Sequence, residues 1–153
     1  MTTKAILQTA GDGTIIPSGY VGETQTASGS YTGATTAGTT LATLPLTAGV
    51  WAVTWSGASV YSSGSVSVLE WNIALTTNVA ATPSVTDYYN TPSTNIGFGN
   101  SASVTTVQCR GNVSQTTTLV LSASTTYYLR AAMTATGGGS IGLKGSVTAI
   151  RIA

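Results

Sequence analysis

Apolar and polar positions alternate with a period of two along much of the chain. In Ser65-Val-Ser-Val-Leu-Glu-Trp-Asn-Ile-Ala-Leu-Thr76, Leu69, Trp71, Ile73 and Leu75 fall on one face. Val68, Glu70, Asn72 and Ala74 fall on the other, which predicts a strand buried on one side and solvated on the other. From Val50 to Tyr61 the same alternation sets Trp51, Val53 and Trp55 against Ala52, Thr54 and Ser56, until Gly57 weakens the strand or marks a bulge. In residues 126–134, Tyr127, Leu129, Ala131 and Met133 form the core face, opposite Tyr128, Arg130 and Ala132. Further strands are expected at residues 4–9, 20–26, 40–46, 104–110, 116–121 and 142–152. No segment has a helical period. About eight to ten short strands between turn-rich segments describe an all-β, antiparallel sandwich or barrel.

The connections carry their own signals. Leu44-Pro-Leu-Thr-Ala-Gly-Val-Trp51 and Leu119-Val-Leu-Ser-Ala-Ser-Thr-Thr-Tyr127 echo each other, each running from a Leu-x-Leu strand end through small residues to an aromatic strand opening. They are expected to be corresponding hairpins in two halves of a sandwich. Gly137-Gly-Gly139 is expected at a hairpin tip, where positive φ angles are needed. Residues 27–39 and 78–103 lack strand character and are expected to be loops. The second is long enough to be either a functional surface excursion or the host of one short strand.

Composition narrows the chemistry. The 153 residues include 30 Thr, 18 Ser and 18 Gly, but only five basic and four acidic side chains and no histidine. Without an imidazole, Ser-His-Asp and Cys-His nucleophilic catalysis and His-ligated zinc are excluded. A net charge of +1 with dispersed Lys and Arg leaves no footprint for nucleic acid. The single Cys109 rules out an intrachain disulfide. It reads as a small core hydrophobe, or less readily as a reactive thiol. The apolar run at Ala5-Ile-Leu7 is too short for a secretory leader, so the chain is expected to be made and kept inside a cell until something releases it. No run approaches the ~20 apolar residues of a membrane helix, and the tryptophans do not pair into the girdles of an outer-membrane barrel. Neither a membrane nor a cofactor is expected.

Glu70 and Asp87 could be paired as glycosidase carboxylates, but Glu70 is expected on an outward strand face and Asp87 in a loop near prolines, without the burial that raises a carboxyl pKa. Gly142-Leu-Lys-Gly-Ser146 lacks phosphate-loop spacing, Asp12-Gly13 reads as a tight turn and not a Ca²⁺ loop, and Asn112-Val-Ser114 matches a glycosylation acceptor without a leader to use it. No catalytic or metal-binding residue is expected. Asp87, Tyr88 and Tyr89, with Phe98, form the local candidate for recognition of a sugar or a protein, or else cover the open end of the sandwich. Strand surfaces rich in Ser and Thr and almost free of charge do little to repel a neighbour, so a homo-oligomer, dimer or trimer, or a larger shell is expected.

Four patterns in order, Ile16-Pro-Ser-Gly-Tyr-Val-Gly-Glu23, Leu44-Pro-Leu-Thr-Ala-Gly-Val-Trp51, Ser124-Thr-Thr-Tyr-Tyr-Leu-Arg130 and Gly145-Ser-Val-Thr-Ala-Ile-Arg-Ile152, resemble the jelly-roll surface domains of tailed-bacteriophage virions. Such domains occur in head decoration, cement and head-fibre proteins and at tail-fibre tips. The resemblance implies a two-sheet jelly roll of the tumour-necrosis-factor and C1q type over residues 16–153, oligomeric, non-enzymatic and displayed on the virion surface. Residues 1–15 would be an N-terminal arm or a first strand, with Ile6 and Leu7 as its anchor on a partner. The short lead-in favours a stand-alone decoration or cement protein contacting the major capsid protein. The alternatives are a tail-fibre tip that binds a host glycan or protein, and a soluble carbohydrate-active enzyme.

Overall fold

The computed structural model describes residues 18–33, 35–63, 67–80, 95–98, 111–136 and 140–153. They form eight strands: β1 (Thr24–Gly33), β2 (Thr35–Leu46), β3 (Gly49–Ser63), β4 (Ser67–Thr76), β5 (Asn95–Phe98), β6 (Gly111–Leu121), β7 (Thr125–Thr136) and β8 (Ser140–Arg151). The pairs β1/β8, β2/β7, β3/β6 and β4/β5 are all antiparallel, so the chain is one long two-stranded ribbon. Folding that ribbon over brings β8 beside β3 and β7 beside β4. Two four-stranded sheets result, in the orders β1-β8-β3-β6 and β2-β7-β4-β5, and this wrapped ribbon is a jelly roll.

The core lies where the alternation of large apolar residues places it. Trp51, Val53 and Trp55 of β3 face Leu129, Ala131 and Met133 of β7 and Trp71, Ile73 and Leu75 of β4, all buried. Each fully buried Val, Leu, Ile or Met side chain contributes about 1.5–3 kcal/mol of transfer free energy. Within this core three glycines of one sheet lie against residues of the other. Gly29, Gly145 and Gly57 stand side by side on β1, β8 and β3. A Cβ on Gly145 would sit 2.7 Å from Leu129 Cδ2 and 2.8 Å from Leu41 Cδ1, and one on Gly57 would collide with Ile73 Cδ1. Leucine and isoleucine of one sheet thus pack directly on the backbone of the other.

Several expectations are corrected. Gly57 marks no bulge: it stays in register with Val113 and Gly145, because its missing side chain serves inter-sheet packing. Strands β1 and β2 run through most of residues 27–39, where β1's inward positions are Gln25, Ala27, Gly29, Tyr31 and Gly33 and give little apolar contrast. Residues 20–22 belong to a turn closed by the Glu23 N–H donating to the Tyr20 carbonyl (3.0 Å), and β1 starts only at Thr24. Over residues 71–75 strand β4 is buried on both faces, since Asn72 and Ala74 are 4% and 2% exposed. Beside them Arg130 and Ala132 of β7 are buried too, and Arg130 Nη1 donates to Thr40 Oγ1 (2.7 Å).

The echoing segments do correspond, but they are not hairpins. Residues 46–49 lead from β2 to β3 and residues 121–125 from β6 to β7, and each link passes from one sheet to the other. They lie against each other, with Leu46 opposite Thr125 and Gly49 opposite Leu121. The strands on either side of Gly137–Gly139, β7 and β8, belong to different sheets, and the three glycines themselves lie outside the described residues. The short strand foreseen as one option within residues 78–103 is β5, with Ile96 opposite Ile73 and Phe98 opposite Trp71. The expected strands at 4–9 and 104–110, and Cys109, lie outside the described residues.

Candidate interaction face

Register converts the Ser/Thr bias of the strands into an ordered surface. On the outer side of β1-β8-β3-β6, Thr26, Thr148, Thr54 and Thr116 form one row across all four strands. The next row is Ser28, Ser146, Ser56 and Ser114. Neighbouring hydroxyls bond within the rows, Thr54 Oγ1 to Thr116 Oγ1 at 2.8 Å and Ser56 Oγ to Ser146 Oγ at 2.9 Å. Because these side chains are short, they leave a shallow trough of about 710 Å³ whose rim includes Ser30, Ala58 and Lys144. Among the described residues, Lys144 is the one ionisable side chain of this face.

Toward the crossover end the face turns apolar. Val120 is 79% exposed and stands opposite Val50, whose carbonyl accepts the Ile152 N–H. Ile150 and Ile152 are 44% and 48% exposed beside them. The surface therefore grades from aliphatic through threonine and serine to a single lysine. It can form neutral hydrogen bonds and bury apolar area against another surface without the larger cost of desolvating charges.

A buried charged cluster secures this end. Glu23 Oε2 accepts the Gly19 N–H at 2.6 Å and lies 3.9 Å from Arg151 Nη1, while Glu23 Oε1 accepts from Gln25 Nε2 at 3.0 Å. Arg151 Nη1 donates to Thr47 Oγ1 (2.8 Å), Nη2 donates to the Ala48 carbonyl, and Cζ lies 5.6 Å from the Trp51 ring centroid. Backbone bonds from Gly22 to Arg151, Arg151 to Glu23 and Val50 to Ala153 stitch the strand ends together. Gly49, at φ 146°, gives the guanidinium its space, since a Cβ there would lie 2.6 Å from Arg151 Nη2. Burial would raise the Glu23 pKa, but the Gly19 N–H, Gln25, Ser18 and the Arg151 charge together outweigh it and hold the carboxyl below its ordinary value. This is structural electrostatics: its groups bond one another and organise the β2–β3 crossover.

Of the residues singled out by sequence, Ile6, Leu7, Asp87, Tyr88 and Tyr89 lie outside the described residues. Phe98 is not a loop residue but ends β5, an edge strand, and Glu70 stands in β4 opposite Thr134. Among the described residues no group of three or more His, Cys, Asp or Glu could hold a metal, and no helix is long and apolar enough to cross a membrane. The row structure escaped sequence reading. Alternate Ser and Thr in residues 24–32, 52–58, 114–118 and 144–150 hint at it, but register between distant strands is needed to see rows.

No family model and no curated protein matches this sequence. Among solved structures, the chain is similar to one in the cyanophage Pam1 capsid asymmetric unit, with 14% identity, a TM-score of 0.41 and coverage of 95% of this chain and 98% of that one. It is also similar to a chain of infectious bursal disease virus, Gx strain, with 11% identity, a TM-score of 0.45 and coverage of 84% of this chain and 32% of that one. A third similarity is to the VP2 subviral particle of infectious bursal disease virus, with 11% identity, a TM-score of 0.38 and coverage of 87% and 39%. The chain spans about a third of the length of the bursal-disease-virus chains.

Proposed function

We propose that this chain is a non-enzymatic structural protein of a bacteriophage virion surface, a capsid decoration or cement protein that bridges and stabilises neighbouring capsid subunits. The observation that carries the reading is the outer face of β1-β8-β3-β6, four strands wide, neutral and ordered into threonine and serine rows. Such a face contributes by burying area and exchanging hydrogen bonds. The partners are the major capsid protein and further copies of the chain. The sequence resemblance to phage surface domains points the same way.

Charge introduced on this face tests the reading. The double variant Thr54→Lys, Ser146→Lys alters exposed positions, so its melting temperature is expected within a few degrees of the parent, each change being worth about 0.5 kcal/mol or less. Its occupancy on particles, measured by quantitative mass spectrometry, is expected to fall about tenfold or more, because lysines buried without partners oppose docking. Unchanged occupancy would refute the role of the face.

In this reading the N-terminal arm, with Ile6 and Leu7, adds a strand to an adjacent subunit. Deleting residues 2–10 is expected to abolish incorporation while the domain keeps its circular dichroism spectrum, and full occupancy of the truncated protein would remove the arm from the mechanism. Copy number separates a cement protein from a tail-fibre tip: hundreds per particle are expected, whereas a few dozen would favour the tip and a ligand-binding role for Asp87, Tyr88, Tyr89 and Phe98.

A further inference from the structure

The four sheet edges are not equally protected. Strand β2 carries Pro45 and register irregularities at 36–39 and 40–42, β5 is only four residues long, and β1 packs against β2. Strand β6 has none of these devices. It runs for 11 residues, Gly-Asn-Val-Ser-Gln-Thr-Thr-Thr-Leu-Val-Leu, without proline, bulge or charge. Its open backbone groups can be assigned. The Val50 N–H bonds Ala153 and the Val50 carbonyl accepts from Ile152 and Ala153, both on the β8 side of β3. By antiparallel alternation, Trp51, Val53 and Trp55 then bond β6, and Ser114, Thr116, Thr118 and Val120 aim their N–H and C=O groups away from the sheet. Among the described residues these groups meet no further backbone partner. A second orphan lies beside them: Gln115 Oε1 is buried without a hydrogen-bond donor.

We propose that β6 pairs antiparallel with β6 of a second copy about a two-fold axis through Thr116, joining two β1-β8-β3-β6 sheets into one. This goes beyond the virion reading and does not depend on it. Thr116 is the midpoint of Gly111–Leu121, so this register pairs the whole strand. Thr116 exchanges both backbone bonds with Thr116 of the second copy, and Ser114 pairs with Thr118. The threonine row Thr26-Thr148-Thr54-Thr116 continues unbroken across the junction. In the non-hydrogen-bonded position Gln115 stands opposite Thr117, whose hydroxyl can donate to the orphaned Oε1. A second copy fits this edge because the strand is free of charge, so identical strands meet without repulsion.

The test is made on the full chain with Cys109→Ala as background. At micromolar concentration, light scattering is expected to give twice the 15.3 kDa chain mass. Thr116→Cys is expected to form an intermolecular disulfide on mild oxidation about a hundredfold faster than Thr54→Cys, which sits in the same row on an interior strand. Thr116→Lys combined with Thr118→Lys is expected to return the mass to one chain, with the near-ultraviolet tryptophan signal retained. A monomer or trimer in the background protein would overturn the proposal. So would a dimer that survives the paired lysines, or a dimer in which Thr116→Cys links no faster than Thr54→Cys. None of these results bears on particle occupancy, which is the measure of the virion reading.

Discussion

Gly29→Ala is expected to destabilise the domain by about 3 kcal/mol, an outsized loss for a single methyl group on a half-buried edge strand. At that position the added Cβ falls on the carbonyl oxygen of Leu41, and a backbone oxygen cannot rotate away as a side chain can. Leu41 lies between Thr40 and Ala42, where the register of β2 against β7 shifts, so relief requires moving the β1–β2 corner as a unit. Gly145→Ala, one strand over in the same stripe, meets side-chain methyl ends, those of Leu129 and Leu41 closely and that of Ile73 at 3.4 Å. It is expected to cost about 1–2 kcal/mol, because rotamer adjustment absorbs part of the overlap. Urea unfolding followed by tryptophan fluorescence measures both, the midpoint shifting while the slope stays constant. If Gly29→Ala proved the milder of the two, the close approach of the sheets at that corner would be wrong.

Arg151→Ala is expected to cost about 3–5 kcal/mol, since it removes the hydrogen bonds to Thr47 and the Ala48 carbonyl and leaves Glu23 buried without its cation. Arg151→Lys should recover less than half of this, because a single ammonium cannot serve Thr47, Ala48 and the Trp51 face together. The same cluster sets the acid limb of stability. The Glu23 carboxyl is held below its ordinary value near 4.5, so the folded protein binds its proton less readily than the unfolded chain. Its contribution is complete above the unfolded value and is lost as pH falls through the lower folded value. Glu23→Gln is therefore expected to lose about 1–3 kcal/mol at neutral pH and to show a flatter decline below pH 4.5. A variant whose stability falls in parallel with the parent's throughout that window would remove Glu23 from the acid response.

Sequence reading succeeded where side-chain contrast is large. Alternation alone places the tryptophans and valine of β3 and the Tyr127, Leu129, Ala131 and Met133 face of β7 in the core, and they are buried there. It failed where contrast is low. Strand β1 turns glycine, alanine and glutamine inward, and the outer side of β4 buries Asn72 and Ala74, residues that alternation assigns to solvent. The echo of residues 44–51 in 119–127 was visible, but the same small residues serve a hairpin or a crossover, and only the folding over of the ribbon decides between them. The Glu23–Arg151 contact joins residues far apart in the chain, and the sole hint was that charge is rare here. The candidate face is legible in the sequence as composition and illegible as geometry, since its rows exist only once four distant strands come into register.

Underlying all of this is the idea that the molecule acts by laying a neutral β surface on its neighbours. A cryo-electron-microscopy reconstruction of particles bearing the chain tests this most directly. The expected result is the outer side of β1-β8-β3-β6 seated on adjoining subunits, with the Thr26-Thr148-Thr54-Thr116 row covered. A chain absent from the particles, or attached with that side open to solvent, would contradict it.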